Sequence, residues 1–187
     1  MPKLSDFEAF LPDWVQQDLN RHALDKRPAP GTSSLGPNGT CLGSHEPLAF
    51  FDAGPYLPMD LAYGRTHDRL YNALARCLRT SGVLHVDLVN YYLHAVILMS
   101  TDWHDALQFC IVQLHEHSLS GGGRCESAPD LIPMVLIRGL FMLYRRPPEK
   151  AVDCAVVGRI ECVNGNNLKK NLGSDAFTAL LKVNDAS

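Results

Sequence analysis

VVGRIECVNGNN, residues 156–167, is the stretch on which the predicted fold class depends. Its apolar side chains alternate with charged ones, and a period of two is typical of a half-exposed antiparallel strand. Asn164-Gly165 is a dipeptide that favours a tight turn where such a strand ends. Gly158, in the middle, indicates a bulge or a close approach of packed atoms. We therefore predict a strand over residues 151–163.

Residues 133–145 supply the predicted partner strand. Apolar side chains occupy both faces of this segment, which is typical of a strand that is covered on both sides. The sequence RRPPEK, residues 145–150, then turns the chain between the two strands.

Amphipathic helices precede and follow the predicted hairpin. Apolar residues recur at helical spacing after Thr66, after Asp87 and after Thr101 or Asp102, and each of these polar residues can cap a helix. Asp175 precedes a last short apolar segment that we predict to be helical. The predicted fold class is α+β, with N-terminal helices followed by a small antiparallel β-sheet or hairpin packed on helices.

The chain is predicted to have three parts. Residues 1–25 form an amphipathic helical arm, residues 26–47 form a flexible linker rich in Pro, Gly and Ser, and residues 48–187 form a globular α+β domain. The arm carries an apolar stripe at helical spacing. We expect this stripe to bury on a neighbouring copy of the protein, through Leu11, Val15 and Leu19 with Trp14 beside them.

Composition narrows the functional class. The 187 residues are 46% hydrophobic and 20% charged, as in a globular domain. The net charge of −3 gives no support for strong nucleic-acid binding, and no sequence-specific binding is expected. The N-terminus lacks the pattern of a secretory signal, so we expect a protein that is not secreted. In that setting the six cysteines are expected to be reduced thiols.

Motifs for catalysis or cofactors are weak in this sequence. Neither a phosphate-binding loop nor a nucleophile elbow is present, and the expected cofactor is none. One alternative stays open: a small intracellular enzyme, or a zinc-dependent regulatory or interaction protein, that uses the His- and Cys-rich region 104–125. Zinc tolerates two Cys and two His ligands, which Cys110, His115, His117 and Cys125 would supply.

Basic residues concentrate in the C-terminal third of the chain. Arg145, Arg146 and Lys150 are predicted to lie on the turn of the hairpin, where they would form a local cationic patch. Such a patch can contact an anionic membrane surface or an RNA-containing particle.

The motif Gly158-Arg159-Ile160-x-Cys162-x-Asn164 resembles the closing strand of lyssavirus-type rhabdovirus matrix proteins. RLYNALARCLRTSG, residues 69–82, and DLVNYYLHAVILMS, residues 87–100, look like the helix and the second apolar segment that precede the sheet in that family. The sequence departs from the family in its acidic N-terminal arm and in lacking a P-P-x-Y motif.

The resemblance implies a non-enzymatic structural protein of the virion. Such a protein self-associates, contacts the nucleocapsid protein and an anionic membrane surface, and acts in assembly and budding. Its expected location is the virion and the host cytoplasm at the inner face of the membrane, and without the resemblance it would be cytoplasmic.

Overall fold

The computed structural model describes residues 11–26, 55–84, 86–117, 153–160, 168, 170 and 172–182. Within these residues the chain is mainly helical. Their bounds are α1 Asp13–Arg21, α2 Pro58–Ala62, α3 Arg69–Ser81, α4 Val86–Met99, α5 Trp103–His117 and α6 Ser174–Lys182.

The predicted α+β class is wrong. Helices make up 67% of the part of the chain that can be interpreted, and no β-strand or sheet occurs there. The predicted partner strand, 133–145, lies outside the described residues.

Residues 153–160 form a closed turn instead of the predicted strand. The backbone of Cys154 pairs with that of Gly158 through two hydrogen bonds, each 2.8 Å long. Val156 and Gly158 both have a positive φ, of 74° and 61°, which reverses the chain over a few residues. Part of this backbone therefore pairs with itself, and the alternation of apolar and polar residues marks a turn with one buried side.

The predicted helices are confirmed where they fall on described residues, with small changes at their ends. Helix α3 begins after Asp68 rather than after Thr66, because the Asp68 carboxylate accepts hydrogen bonds from the amides of Leu70 and Tyr71. It ends at Gly82, whose left-handed conformation suits a glycine. Of the predicted segment 5–24, the structure describes helix α1.

The core lies where α3, α4 and α5 pack against one another, with α6 also against α3. Tyr71, Tyr92 and Ile111 are among its fully buried side chains. Burying one large apolar side chain contributes roughly 1.5–3 kcal/mol, so the many side chains buried between these helices stabilise the fold strongly. Among the described residues, no helix is both long and apolar enough to cross a bilayer.

The segment that follows α2 is fixed on α3 by a polar contact and a close backbone approach. The Asn72 side chain accepts hydrogen bonds from the amide and the hydroxyl of Thr66 and donates one to the Thr66 carbonyl. A Cβ atom at Gly64 would lie 2.7 Å from the Asn72 carbonyl oxygen, and Gly64 has a φ of +61°. The chain can therefore run close to α3 only with glycine here.

Candidate interaction surface

A tyrosine ring flanked by two arginines lies on the surface where this segment crosses α3. The Arg79 guanidinium carbon is 4.0 Å from the centre of the Tyr63 ring, and that of Arg65 is 5.1 Å from it. Tyr63 and Arg65 come from the turn after α2, whereas Arg79 comes from the last turn of α3. Cation–π attraction holds both guanidinium groups beside one ring.

Neither of these two arginines forms an ion pair with a carboxylate of the described residues. Both guanidinium groups lie over the Tyr63 ring. Asp68, an acidic residue of the same segment, uses one oxygen to cap α3 and the other to accept a hydrogen bond of 2.7 Å from the Tyr91 hydroxyl. Arg65 and Arg79 thus place two positive charges beside the Tyr63 ring, while Asp60 of α2 carries a negative charge in the same segment.

Large apolar side chains are exposed on α2 and at its two ends. Leu57 is 67% exposed, Met59 is 66% exposed and Tyr63 is 40% exposed. Exposing apolar area of this size gains nothing for the fold, and neighbouring exposed apolar side chains often mark an interaction site. We call Leu57, Met59, Tyr63, Arg65 and Arg79 the Tyr63 surface.

The structure places the residues predicted for self-association against their own chain. Leu11, Val15 and Leu19 are buried in the core, and Trp14 is partly buried against it. The indole nitrogen of Trp103 donates a hydrogen bond of 3.0 Å to the Asn20 side chain, which attaches α1 to the start of α5. In this arrangement the apolar stripe is not open to a neighbouring copy.

A buried ion pair joins α1 to the closed turn at 153–160. Asp18 is only 2% exposed, and its carboxylate accepts three hydrogen bonds from Arg159, from the backbone amide, Nε and Nη2, at 2.8–2.9 Å. A fourth comes from Arg21 at 3.3 Å. Burial by itself raises the pKa of Asp18, but the hydrogen bonds and charges of the two arginines outweigh it, so the pKa is lowered.

His22 extends the same contact. Its Nδ1 lies 2.6 Å from an Asp25 oxygen and its Nε2 lies 3.0 Å from an Asp153 oxygen. Each ring nitrogen of His22 therefore faces a carboxylate oxygen of a different segment. Asp25 also accepts a hydrogen bond of 3.1 Å from the amide of Val156. These side chains therefore hold the turn on α1, and we call Asp18, Arg21, His22, Asp25, Asp153 and Arg159 the polar clamp.

The residues predicted as possible zinc ligands do not form a site in the described part of the chain. Cys110 is fully buried in α5, where burial raises the pKa of its thiol. His115 and His117 lie partly exposed at the end of the same helix, and Cys125 lies outside the described residues. In the described part of the chain, no three His, Cys, Asp or Glu side chains form a group that could hold a metal ion.

The predicted cationic patch of Arg145, Arg146 and Lys150 also lies outside the described residues. The Tyr63 surface was not among the sites predicted from the sequence. One signal for it is present, because LPMDLAYGR, residues 57–65, places apolar residues directly before an arginine. No protein-family model and no curated protein matches this chain.

Proposed function

We propose that this is a non-enzymatic structural protein, similar in role to a viral matrix protein, that self-associates and bridges nucleocapsid and membrane during assembly and budding. The Tyr63 surface is the observation that supports it most directly. It combines exposed apolar side chains with two arginines that pair with no carboxylate of the described residues, and this combination suits contact with an assembly partner rather than chemistry on a small molecule.

The polar clamp also supports a structural role rather than an enzymatic one. It is the cluster of described residues that most resembles a catalytic site, because it combines a histidine with three carboxylates and two arginines. Its groups contact one another and the backbone of residues 156 and 159. This arrangement assigns the clamp to stability.

Self-association through the α1 stripe would require an exchange of arms. The stripe fits a site formed by its own chain, and a neighbouring copy offers the same site. If Leu11, Trp14, Val15 and Leu19 of one copy occupied that site in another, the contacts would be preserved and the copies would be linked, as in domain swapping. Residues 27–54 connect the arm to the segment that leads into α2 in the sequence.

Sedimentation of the full chain tests this proposal. The expected result is a sedimentation coefficient that rises with protein concentration. Val15→Asp places a charge in the core and is expected to unfold the arm. Trp14→Ala is therefore the variant that tests the role of the stripe in self-association, because it only trims a partly buried side chain. Val83→Ser, at an exposed position away from α1, is the matched control. A chain that stays monomeric at every concentration contradicts the proposal.

A further inference from the structure

We propose that Tyr63 is a site of tyrosine phosphorylation, and that Arg65 and Arg79 bind the phosphate once it is attached. The bound phosphate would fix the segment after α2 more firmly on α3. This inference goes beyond the proposed function and does not depend on it, because it concerns a modification that can be measured on the folded chain alone.

Tyr63 differs from the other described tyrosines in the state of its hydroxyl. Its side chain is 40% exposed, and its hydroxyl makes no hydrogen bond to the described residues. The hydroxyls of the other described tyrosines either form hydrogen bonds within the chain or are buried with their rings: Tyr56, Tyr71, Tyr91 and Tyr92. Of the described tyrosines, Tyr63 is therefore the one whose hydroxyl is open to an enzyme that transfers a group to it.

The chain around Tyr63 is accessible to a kinase. Leu57, Met59 and Arg65 are exposed on the same segment. The helix that Tyr63 follows has five residues, and a helix this short contributes little stability by itself. Local opening of α2 therefore costs less than opening a longer helix, and the tyrosine can enter the active site of another protein.

Two guanidinium groups already lie beside the ring that would carry the phosphate. The guanidinium carbon of Arg79 is 4.0 Å from the ring centre and that of Arg65 is 5.1 Å from it. Neither forms an ion pair with a carboxylate of the described residues. A guanidinium presents a planar fork of donors that matches phosphate oxygens. Because the ring already restricts both side chains, they lose less conformational entropy on binding than free side chains would.

Asp60 opposes this binding in part. The Tyr63 surface and Asp60 together carry two positive charges and one negative charge. A phosphate adds roughly 1.5–2 negative charges at neutral pH, so phosphorylation reverses the sign of the charge in this segment. Attraction by two arginines outweighs repulsion by one carboxylate, and the expected result is a net stabilisation that is smaller than the arginines alone would give.

The modification is a phosphoryl transfer from ATP, catalysed by a tyrosine kinase. The hydroxyl oxygen of Tyr63 forms a bond with the γ-phosphorus, the bond from that phosphorus to the bridging oxygen of the β-phosphate breaks, and ADP leaves. The hydroxyl proton passes to a base of the kinase.

Treatment of the folded full chain with soluble tyrosine kinases of broad specificity, ATP and Mg²⁺ tests whether Tyr63 is the acceptor. Fragmentation mass spectrometry should locate phosphate on Tyr63 at a rate at least about tenfold above that of the other four described tyrosines, which become accessible only by local unfolding. Tyr63→Phe should abolish this signal, whereas Tyr56→Phe should leave it unchanged. The absence of phosphate on Tyr63, or equally fast modification of one of the four, would show that the inference is wrong.

Thermal unfolding of the phosphorylated and the unmodified chain tests the role of the arginines. Phosphorylation should raise Tm by about 2–4 °C, as one net charge-assisted hydrogen bond does in a chain of this size. Arg65→Gln with Arg79→Gln should remove the rise, and Asp60→Asn should enlarge it. Lys182→Gln removes an exposed positive charge from α6 and is the matched control, which should keep the rise of the wild type.

Arg79→Lys decides the question if the arginine double variant does not fold. It keeps the charge but lacks the planar fork, so its rise in Tm should be smaller than that of the wild type. A phosphorylated chain with unchanged Tm, or the same rise in the wild type and the arginine variants, contradicts phosphate binding by Arg65 and Arg79. Self-association is decided separately by the sedimentation experiment, so either idea can fail without the other.

Discussion

Two pairs of arginines on this molecule have opposite surroundings. Arg159 and Arg21 lie against carboxylates, with Arg159 donating three hydrogen bonds to the buried Asp18. Arg65 and Arg79 lie against the face of Tyr63, with no carboxylate among the described residues beside them. The comparison shows that the role of an arginine depends on the group that it contacts. A matched charge holds parts of the chain together, whereas an unmatched, exposed one is available to a partner.

Among substitutions at the polar clamp, Gly158→Ala should have the largest effect on the free energy of unfolding. A Cβ at this position would lie 2.7 Å from the Asp18 Cβ, and the φ of +61° strains any other residue. Gly158→Ala should therefore lower the free energy of unfolding by about 4 kcal/mol, because it adds a steric clash inside the polar clamp to the backbone strain. Denaturant unfolding measures this value.

Gly173→Ala is the control for the backbone term. Gly173 has a φ of +80°, but an added Cβ would meet no atom within 4 Å. Its expected cost is about 1 kcal/mol, which is the strain of a positive φ alone. Equal losses for the two substitutions would show that the approach of the turn to Asp18 is not tight.

Asp18→Asn should give the next largest effect. The amide keeps the volume of the side chain but offers a donor where the carboxylate accepts hydrogen bonds from Arg159 and Arg21, so we expect a loss of about 2 kcal/mol near neutral pH. The pKa of Asp18 is lowered in the folded chain. Its contribution is therefore complete above the unfolded pKa of about 3.9 and is lost as the pH falls through the folded value.

Acid titration of both proteins checks the sign of this effect. The free energy of unfolding of the wild type should fall more steeply than that of the variant below about pH 4, and the two curves should approach each other. Parallel curves would mean that Asp18 does not hold its charge through the ion pair.

How well each feature could be predicted from the sequence depends on whether residues close together in the chain or far apart in it determine that feature. Helices α3 to α6 were predictable, because the spacing of apolar residues along each of them is a local signal. At Gly158 the sequence predicted a bulge or a close approach of packed atoms, and the structure has a close approach, to Asp18. The strand around it was wrong. Alternation reports one buried side, and whether the chain pairs with another strand or with itself depends on backbone angles such as that of Val156.

The candidate surface depends on contacts that no local pattern reports. Tyr63 and Arg79 are separated along the sequence and meet because Gly64 lets the chain approach α3. The apolar stripe of α1 was predictable as a stripe, but its partner was not. Amphipathicity shows which side of a helix is buried and does not show whether the covering surface belongs to the same chain.

Arg159→Gln and Arg79→Gln form a matched test of the comparison. Removal of Arg159 leaves Asp18 buried without its main partner and should lower Tm by several degrees, with no direct effect on the rise in Tm that follows phosphorylation of Tyr63. Removal of Arg79 should leave the Tm of the unmodified chain close to that of the wild type and reduce this rise. The same loss of stability for both variants would contradict the division between matched and unmatched arginines.

Arg21→Gln should give the smallest effect, although Arg21 contacts two carboxylates. Its Nη2 lies 2.9 Å from an Asp153 oxygen and 3.3 Å from an Asp18 oxygen, but the side chain is 53% exposed. Water and salt screen such a pair, so the expected loss is below about 1 kcal/mol. Asp18 keeps its three hydrogen bonds from Arg159, and Asp153 keeps His22. A loss as large as that of Asp18→Asn would mean that Arg21, rather than Arg159, neutralises the buried carboxylate, and the clamp would then depend on its exposed edge.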